Sequence, residues 1–220
     1  MPKIYDPEYA EFLKNKRIAV VGPAPHIVGS KQGKLIDSYD LICRVGRSFN
    51  IPKELEEDIG TRVDILYNVL NDHNGERAAG ELNIDELSKK LKWICSGNGP
   101  YFKCKIWNRK FEIKNNSRIP FHTPNKEHYK KITKETGRWI NSGFVAIIDL
   151  LYYNIKELYI TGFTFFAEKN NNYYYPQYRK PHLYLEGCYN GEKQLNYMKK
   201  LYKKDKRIKC DKVLKKILEN

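Results

Sequence analysis

The residues best suited to chemistry are glycines and arginines that follow short apolar runs. Gly22 opens a loop directly after the run at residues 18–21, and Arg44 and Arg47 flank the end of a second run at residues 41–45. Such runs, rich in branched side chains, indicate buried strands of a parallel sheet. In an open parallel sheet, ligands bind beyond the carboxyl ends of the strands. The pattern therefore indicates an anion site, although an ordinary strand–helix turn with surface arginines would produce it too.

A second candidate site begins at Asn141, Ser142 and Gly143. These residues precede a strongly apolar segment, residues 144–153, that we predict to be a helix capped by either Asn141 or Ser142. A helix N-terminus presents free backbone N–H groups to an anion. A strand follows over residues 157–163, so this α–β unit is expected to face the same crevice as the first one.

The histidines and one carboxylate pair are weaker candidates. His26 follows a proline in the loop after the first strand, and His73 lies among turn-forming residues at the end of another strand. Either histidine would face the crevice or have a structural role. His122 and His128 are expected to be surface residues. Asp37, with Asp40, is expected to cap a turn rather than to act as a catalytic carboxylate.

The composition describes a globular protein with an anionic partner. The chain has 220 residues, of which 41% are hydrophobic and 30% charged, and its net charge is +14. Such a charge favours a phosphorylated small molecule, an acidic glycan or nucleic acid as the partner. The five cysteines form no CxxC pair or metal-spaced set. With no apolar run of about 20 residues and no signal-peptide core, we expect a soluble protein of the cytoplasm or another reducing compartment, without a membrane span.

The elements that must position these residues alternate between strands and helices. The length and this alternation suit one α/β domain, or a compact pair of domains, with parallel strands. The chain begins with a helix at residues 6–16 and ends in a basic helical tail at residues 192–220. The other predicted elements are helix 31–38, strand 64–70, helix 86–91 capped by Asp85, strand 92–95, short strands at 106–107 and 118–121, and helices 125–136 and 192–202.

In order and spacing, the two candidate stretches resemble the large and small sialyl motifs of the sialyltransferases (glycosyltransferase family 29). Together they cover roughly a third of the chain. The large-motif-like stretch contains Val20-Val21-Gly22, Gly33, Ile36-Asp37-Ser38-Tyr39-Asp40, Ile42-Cys43-Arg44 and Asp58-Ile59-Gly60-Thr61-Arg62. The small-motif-like stretch contains Asn141-Ser142-Gly143 and Ile160-Thr161-Gly162-Phe163.

This resemblance implies a fold and a reaction. The fold would be a variant of the GT-A glycosyltransferase fold, an α/β/α sandwich with a mostly parallel central sheet, in a single domain over residues 1–220. The reaction would transfer sialic acid, or a related acidic sugar, from a CMP-sugar donor to a hydroxyl of a glycan acceptor, with inversion and without a metal or other cofactor. A histidine near the C-terminal end would act as general base on the acceptor hydroxyl. A positioned base with a pKa near 7 contributes roughly 10²–10⁴-fold to such a rate.

The general base and the leaving-group contact are assigned by the same resemblance. His182, with Glu186, is the best match for the family's final motif, although the spacing is one residue short. A competing alignment over residues 188–192 places Tyr189 at that position and leaves no base. The family's tyrosine-containing motif matches Tyr173, Tyr174 and Tyr175, which would hydrogen-bond the departing phosphate. The donor site would comprise Gly22, Pro23, Ala24, Arg44, Asn141, Ser142, Gly143 and Gly162 together with these tyrosines.

The chain departs from the family pattern at two donor contacts. Residues 23–25 are Pro-Ala-Pro where the family has Asn-Ser-Gly, so an asparagine expected at the donor phosphate is missing. Gly46 stands where the family has a second asparagine. Arg44, Arg47 or Arg62 would have to substitute for these contacts electrostatically.

A third departure concerns the compartment. The cysteine pair that links the two motifs in animal members falls at Ile18 and Ile155. Two apolar residues suit a strand–helix contact in a reducing compartment.

Two alternative functions remain open. Residues 23–25 and Gly46 are compatible with a non-catalytic protein of the same fold that binds nucleotides or glycans. The net charge of +14 is compatible with nucleic-acid binding, which we consider unlikely because the lysine-rich stretch at residues 199–216 has no interleaved aromatic platform.

Overall fold

A single parallel sheet organises the computed structural model of the protein. The structure describes residues 6–71, 82–97, 102–137, 139–165, 167, 174 and 190–220. Its sheet has seven strands in the order β5-β4-β3-β2-β1-β6-β7, and every neighbouring pair is parallel. The strands are β1 (Arg17–Val21), β2 (Leu41–Val45), β3 (Ile65–Asn68), β4 (Trp93–Ser96), β5 (Phe121–His122), β6 (Glu157–Thr161) and β7 (Ile208–Cys210).

Helices cover both faces of this sheet. In β1, Ile18 and Val20 face the cluster formed with α1 and α6–α9, whereas Ala19 and Val21 face the cluster beneath α2 and α3. Burial on both sides explains why the strands are continuously apolar. The predicted α/β architecture with a parallel sheet is therefore confirmed. Within the described ranges the α-helices are α1 (Pro7–Leu13), α2 (Gly33–Asp37), α3 (Glu56–Ile59), α4 (Ile84–Leu87), α5 (Phe102–Asn115), α6 (Lys126–Thr136), α7 (Ser142–Tyr152), α8 (Gly191–Lys204) and α9 (Lys212–Glu219).

The strand order creates a switch point between β1 and β6. From β1 the chain builds the sheet outward through β2 to β5, and it then returns to place β6 on the other side of β1. Val21 pairs with Thr161 at the carboxyl ends of these two strands. In open α/β sheets, ligands bind in the crevice at such a switch point. The fold therefore places the candidate crevice beside Gly22 and Gly162.

Side-chain caps determine where several helices begin. Asp6, Asn125, Asn141, Asn190 and Asp211 each accept a backbone N–H from the first turn of α1, α6, α7, α8 and α9, respectively. Each cap satisfies a donor that a helix leaves unpaired at its N-terminus. For α7 the cap is Asn141, one of the two residues that the sequence left open.

Several local predictions were wrong. Residues 106–107, predicted as a strand, lie inside helix α5, and β5 contains only the last residue of the strand predicted at 118–121. Asn83, not Asp85, caps α4, because its side chain accepts the Asp85 and Glu86 N–H groups. The tail predicted as helical contributes β7 as well as α9, since Ile208 is buried against β6.

The described part of the chain has free thiols and no membrane-spanning helix. Cys43 and Cys95 are buried and form no disulfide, and Cys210 is half-buried and forms none. Cys104 is also buried. No helix in the described ranges is long and apolar enough to cross a bilayer.

Candidate active site

Gly22 and Gly162 lie back to back at the carboxyl ends of β1 and β6. The Gly22 N–H donates to the Thr161 carbonyl at 2.8 Å, and the Ala24 N–H donates to the Gly162 carbonyl at 2.9 Å. A Cβ on Gly22 would lie 2.4 Å from the Gly162 oxygen, and one on Gly162 would lie 2.3 Å from the Gly22 oxygen. The two backbones therefore contact each other directly, which requires glycine at both positions.

The contact between Gly22 and Gly162 leaves the loop after β1 without a free backbone N–H group. The Gly22 and Ala24 N–H groups are bonded to β6, and Pro23 has no N–H group. The Pro23 carbonyl accepts the Tyr174 N–H at 3.0 Å. A phosphate-binding loop needs N–H groups directed at the ligand. Gly22, Pro23 and Ala24 therefore form a wall of the crevice without a free N–H for a phosphate, and their predicted place in the donor site stays a prediction.

The N-terminus of α7 does have free donors. The Asn141 side chain accepts the Phe144 N–H at 2.9 Å, and the Asn141 carbonyl accepts the Val145 N–H at 2.9 Å. The N–H groups of Ser142 and Gly143 and the Ser142 hydroxyl have no hydrogen-bond partner among the described residues. Free N–H groups at the positive end of an 11-residue helix favour an anion. Ser142 and Gly143 thus have the geometry that the sequence predicted for them.

Asn141 has a structural role, and the donor contact assigned to it from the sequence stays a prediction. Its Oδ1 caps α7, and its Nδ2 donates to Gln194 Oε1 at 2.7 Å. Gln194 is buried in α8. Both ends of the Asn141 amide are therefore occupied, and the residue holds α7 against α8. Sequence reasoning missed Gln194, because a polar residue in an amphipathic helix normally faces solvent.

The ring of Phe163 joins the two candidate stretches. A Cβ on Gly22 would lie 2.6 Å from Phe163 Cε2, and a Cβ on Gly143 would lie 2.5 Å from Phe163 Cε1. The ring therefore lies between the end of β1 and the start of α7. This contact brings together the two stretches that the sequence singled out, although they lie more than a hundred residues apart.

A third wall of the crevice comes from β3 and β4, which sequence reasoning did not include. A Cβ on Gly97 would lie 2.7 Å from Ser142 Oγ, and the Gly97 N–H donates to the Asn68 carbonyl at 2.7 Å. The Asn68 Nδ2 donates to the Gly46 carbonyl at 3.0 Å. Hydrogen bonds thus join the ends of β2, β3 and β4, and Gly97 packs closely against Ser142. A polar residue or glycine at each strand end was the signal that could have identified this wall.

Gly46 leaves open space at the end of β2. Its φ is +58°, and nothing lies within 4 Å of the position that a Cβ would take. Among L-residues, asparagine adopts this left-handed region most readily. The backbone at Gly46 is therefore suited to the asparagine that the sialyltransferase pattern has at this position.

Arg44 is buried and bonded to the turn that follows α3. Its side chain is 0% exposed, its Nε donates to the Arg62 carbonyl at 2.9 Å, and its Nη2 donates to the Ile59 and Gly60 carbonyls at 2.8 and 3.2 Å. The Ile59 and Gly60 carbonyls lie at the C-terminal end of α3, where a helix leaves carbonyl groups without partners. Arg44 therefore stabilises the turn at residues 59–62, and its predicted role at the donor stays a prediction.

The other polar residues of the first stretch support the same turn. Arg62 donates to the carbonyls of Asp37 and Tyr39 at 2.9 Å, so it too is engaged structurally. The Asp37 carboxylate accepts the Thr61 N–H at 2.9 Å. Asp58 accepts the N–H groups of Gly29 and Lys31 at 2.7 and 2.9 Å. The capping role expected for Asp37 is confirmed.

His26 is bonded to the C-terminal segment. Its Nε2 lies 3.1 Å from Asp211 Oδ2, which also accepts the Thr161 hydroxyl at 2.9 Å and the Gly162 N–H at 3.0 Å. Burial alone would raise the pKa of Asp211, but the hydrogen bonds from His26 and from backbone N–H groups outweigh burial and lower it. The ionised carboxylate requires His26 to donate from Nε2. His26 therefore has the structural role left open by the sequence, and Asp211, which reasoning missed, ties α9 to the crevice.

His122, predicted at the surface, is buried between two carboxylates. Its Nδ1 lies 2.7 Å from Asp6 Oδ2 and its Nε2 lies 2.9 Å from Asp149 Oδ2. Burial lowers the pKa of His122, but the two carboxylates outweigh it and raise the pKa to about 9. The Tyr67 hydroxyl also donates to Asp149, at 2.6 Å. The surface prediction is wrong for His122, and His128 is half-buried.

Several predicted site residues lie outside the described residues. These are His182, Tyr173 and Tyr175, and also His73, Glu186 and Tyr189. Tyr174 is described, is half-buried and contacts the loop at Pro23. In the part of the chain that the structure describes, no group of three metal-ligating side chains comes together.

Comparison with known proteins confirms the resemblance stated from the sequence. The family model of glycosyltransferase family 29 (sialyltransferase) matches residues 2–83. A mammalian sialyltransferase in complex with Gal-beta-1-3GalNAc-ortho-nitrophenol is 18% identical, with a TM-score of 0.60 over 96% of this chain and 75% of that chain. The sialyltransferase CstII from Campylobacter jejuni, in complex with a substrate analogue, cytidine-5'-monophosphate, is 13% identical, with a TM-score of 0.59 over 90% of this chain and 80% of that chain.

A search of curated protein sequences finds no match. At the identities above, the solved structures establish the fold, which extends across nearly the whole chain. The family match and these neighbours together support a glycosyltransferase.

Proposed function

We propose that this chain, whose residues 2–83 match glycosyltransferase family 29, is a sialyltransferase-like enzyme with a GT-A-like variant of the α/β fold. It transfers sialic acid, or a related acidic sugar, from a CMP-sugar donor to a hydroxyl of a glycan acceptor. The transfer inverts the anomeric centre and uses no metal or other cofactor.

The observation that carries this proposal is the free N-terminus of α7 at the switch point. Ser142 and Gly143 offer two N–H groups and a hydroxyl, and they lie against Gly97 on one side and the Phe163 ring on the other. CMP leaves the donor as a phosphate monoester, so negative charge grows on its oxygens as the glycosidic bond breaks. Fixed N–H dipoles at that position stabilise the transition state more than the ground state.

The reaction balances with one base and one leaving group. The acceptor hydroxyl attacks the anomeric carbon from the face opposite CMP, its proton passes to His182, and the bonding electrons leave with the phosphate. Residues 173–175 would add a hydroxyl donor to that phosphate. The hydrogen bond from the Tyr174 N–H to the Pro23 carbonyl supports this, because it places one member of the run beside the loop after β1.

The N-terminus of α7 allows a specific test. Proline is tolerated at the first position of a helix, where it removes an N–H that the helix does not use. Asn141 already has the extended conformation (φ −72°, ψ 155°) that a following proline requires. Ser142→Pro should therefore keep the fold but reduce the thermal stabilisation that millimolar CMP gives the unmodified chain.

A matched control is Lys126→Pro, at the first position of α6. Asn125 also has the backbone conformation that precedes proline (φ −57°, ψ 121°). CMP should stabilise this variant as it stabilises the unmodified chain. If CMP stabilises Ser142→Pro equally well, the proposed phosphate site is wrong. If CMP and CDP stabilise no form of the protein, nucleotide binding itself is excluded.

A non-catalytic binding protein of the same fold remains the second candidate. The loop at residues 22–24 favours it, because this loop has no free N–H group. The Gly22 and Ala24 N–H groups are bonded to Thr161 and Gly162, and Pro23 has none. Incubation with CMP-sialic acid and a panel of glycans, read by mass spectrometry, separates the two. Transfer that His182→Ala abolishes while CMP binding survives supports the enzyme. CMP binding without transfer or donor hydrolysis supports the binding protein.

A further inference from the structure

A buried, charged histidine joins the start of α1 to the side of α7. The His122 side chain is 0% exposed, and its ring nitrogens lie 2.7 Å from Asp6 Oδ2 and 2.9 Å from Asp149 Oδ2. Asp6 Oδ1 also accepts the Tyr9 N–H, and Asp149 Oδ2 also accepts the Tyr67 hydroxyl. Ionised carboxylates only accept hydrogen bonds. Both ring nitrogens therefore donate, and the ring carries a positive charge.

The other titratable groups around this ring are neutral. Among the described residues they are the hydroxyls of Tyr9, Tyr67 and Tyr153 and the thiols of Cys43 and Cys95. Burial raises the pKa of each of these groups. On α6, burial lowers the pKa of His128, which lies near Asp149. The charges in this part of the core are therefore those of His122, Asp6 and Asp149.

Helix α7 connects this charged group to the free donors at its own N-terminus. Ser142 and Asp149 are seven residues apart, so they lie on one side of the helix at a spacing of about 10 Å. Between them, residues 144–147 are 0% exposed and Ile148 is 4% exposed. Salt screens little across such a packed core.

The spacing is short enough for the two ends to affect each other. With the contacts at each end added, the His122 ring and an anion at Ser142 are about 14 Å apart. At an effective dielectric constant of about 20, a unit charge at that distance changes the affinity for an anion several-fold. The buried ring can therefore act on the N-terminus of α7 without touching what binds there.

We propose that the buried charge of His122 strengthens the binding of the donor phosphate at Ser142 and Gly143, acting through α7 rather than by contact. This inference rests on the proposed function, because it takes CMP as the anion. While His122 keeps its proton, the group carries one positive and two negative charges. Once the proton is lost, two negative charges remain and repel the phosphate. By linkage, bound CMP increases the proton affinity of His122 by the same factor.

The same three side chains also have a structural role, since they hold α1 against α7. That role depends on hydrogen bonds and packing, whereas the action on the phosphate depends on net charge. Substitutions that change bonds and charge independently therefore separate the two roles.

Calorimetric titration of the full chain with CMP, from about pH 7.5 to about pH 10, tests the inference. The phosphate of CMP stays a dianion over this range, because its second pKa is near 6. The affinity of the unmodified chain should fall roughly three- to tenfold as the pH passes about 9, the raised pKa of His122. Near that pH, binding should also take up part of a proton, which makes the measured heat depend on the buffer.

Three variants separate charge from structure. His122→Gln should bind CMP roughly three- to tenfold more weakly at about pH 7.5 and should lose the pH dependence. His122→Gln/Asp149→Asn removes one charge of each sign, so its affinity should return to within about twofold of that of the unmodified chain. Asp6→Asn keeps the cap of α1 but removes one carboxylate from His122, so the fall in affinity should move to lower pH. This last variant provides the test if His122→Gln does not fold.

The control is His128→Gln, because His128 is neutral and lies 3.4 Å from the Ile148 carbonyl of α7. It should keep both the CMP affinity and its pH dependence. The inference is overturned by a level affinity in the unmodified chain, by an equal fall in His122→Gln, or by a double variant that binds more weakly than His122→Gln. If Ser142→Pro still weakens CMP binding in those cases, the proposed phosphate site stands without His122. CMP binding to no form of the protein overturns both.

Discussion

The ring of Phe163 fills the space in which Gly143 would carry a side chain. An ideal Cβ on Gly143 would lie 2.5 Å from Phe163 Cε1, closer than real atoms approach each other. The first turn of α7 is therefore held against the end of β6 at a distance that only glycine permits. The free N–H groups of Ser142 and Gly143 owe their position at the switch point to this contact.

Gly143→Ala should destabilise the protein although alanine is the better helix former. The added methyl group would displace the Phe163 ring or the start of α7, and overpacking of this kind costs on the order of 1–3 kcal/mol. Urea denaturation should show a lower free energy of unfolding with an unchanged slope. CMP should stabilise the variant less than the unmodified chain, because the α7 donors move.

Phe163→Leu, combined with Gly143→Ala, tests whether the Phe163 ring causes this loss of stability. It removes the aromatic edge that the new methyl group would meet, so the double variant should be less destabilised than the sum of the two single variants. Simple additivity of the two losses would show that the Phe163 ring is not what restricts position 143.

Gly46→Asn should be tolerated and should strengthen CMP binding. The φ of +58° suits asparagine, and nothing lies within 4 Å of the new Cβ. The change in the free energy of unfolding should stay within about 1 kcal/mol, whereas Gly46→Val should cost more because a branched residue is strained at this φ. Calorimetric titration with CMP measures the gain in affinity.

Gly29→Asn is the control for the backbone effect. Gly29 also has a positive φ, +80°, and open space at its Cβ. It should resemble Gly46→Asn in stability but leave CMP affinity unchanged. Equal CMP affinity in Gly46→Asn and the unmodified chain would mean that the amide at this position does not reach the donor.

The sequence was informative wherever structure follows from local pattern. The apolar run that became β1 is continuous because parallel strands are buried on both faces, and in β2 the run is interrupted by the buried Arg44. Gly162, close behind the β6 run, marked the second half of the switch point. For α7, the apolar segment predicted the helix, and the polar residues in front of it narrowed the cap to Asn141 or Ser142. These features depend on neighbours within a few residues.

Pairings between distant residues were not predictable. The Gly22 and Ala24 N–H groups appear free in a linear sequence, and only the register of β1 against β6 shows that they are used. Arg44 resembles a surface arginine until the turn after α3 folds over it. His122 is separated by 116 residues from Asp6, which is one of the two carboxylates that pair with its buried ring. Sequence patterns carry no signal for such long-range polar partners.

Asp211→Ala should destabilise the chain by roughly 2–4 kcal/mol, because one carboxylate has four donors. Its Oδ2 accepts from His26, Thr161 and Gly162, and its Oδ1 caps α9 through the Leu214 N–H at 2.8 Å. Asp211→Asn should cost less, since asparagine keeps the cap. Thermal or urea denaturation measures both losses.

Asp205→Ala is the matched control for Asp211→Ala. Asp205 is bonded to Arg207 at 2.7 Å in a partly exposed pair, so its loss should cost within about 1 kcal/mol. If Asp211→Ala is no more destabilising than Asp205→Ala, the C-terminal segment is not anchored through Asp211.

The buried His122 predicts how stability depends on pH. In the unfolded chain its proton is lost near the usual pKa of 6.5, whereas the folded chain keeps that proton up to about pH 9. Between these values the folded state binds one proton more, so raising the pH favours unfolding. The stabilisation is complete below about pH 6.5 and is lost as the pH rises through about 9. Its size corresponds to on the order of 3 kcal/mol.

His122→Gln should remove most of this pH dependence. Glutamine fills similar space but cannot carry the charge that Asp6 and Asp149 surround, so the variant should be less stable at pH 6.5 and should lose little more by pH 9. His128→Gln, also at a histidine but one whose pKa burial lowers, should keep the dependence of the unmodified chain. Urea denaturation at several pH values gives all three curves. A free energy of unfolding that stays level from pH 6.5 to 9 in the unmodified chain would mean that His122 is neutral when folded, and the two carboxylates would then need another counter-charge.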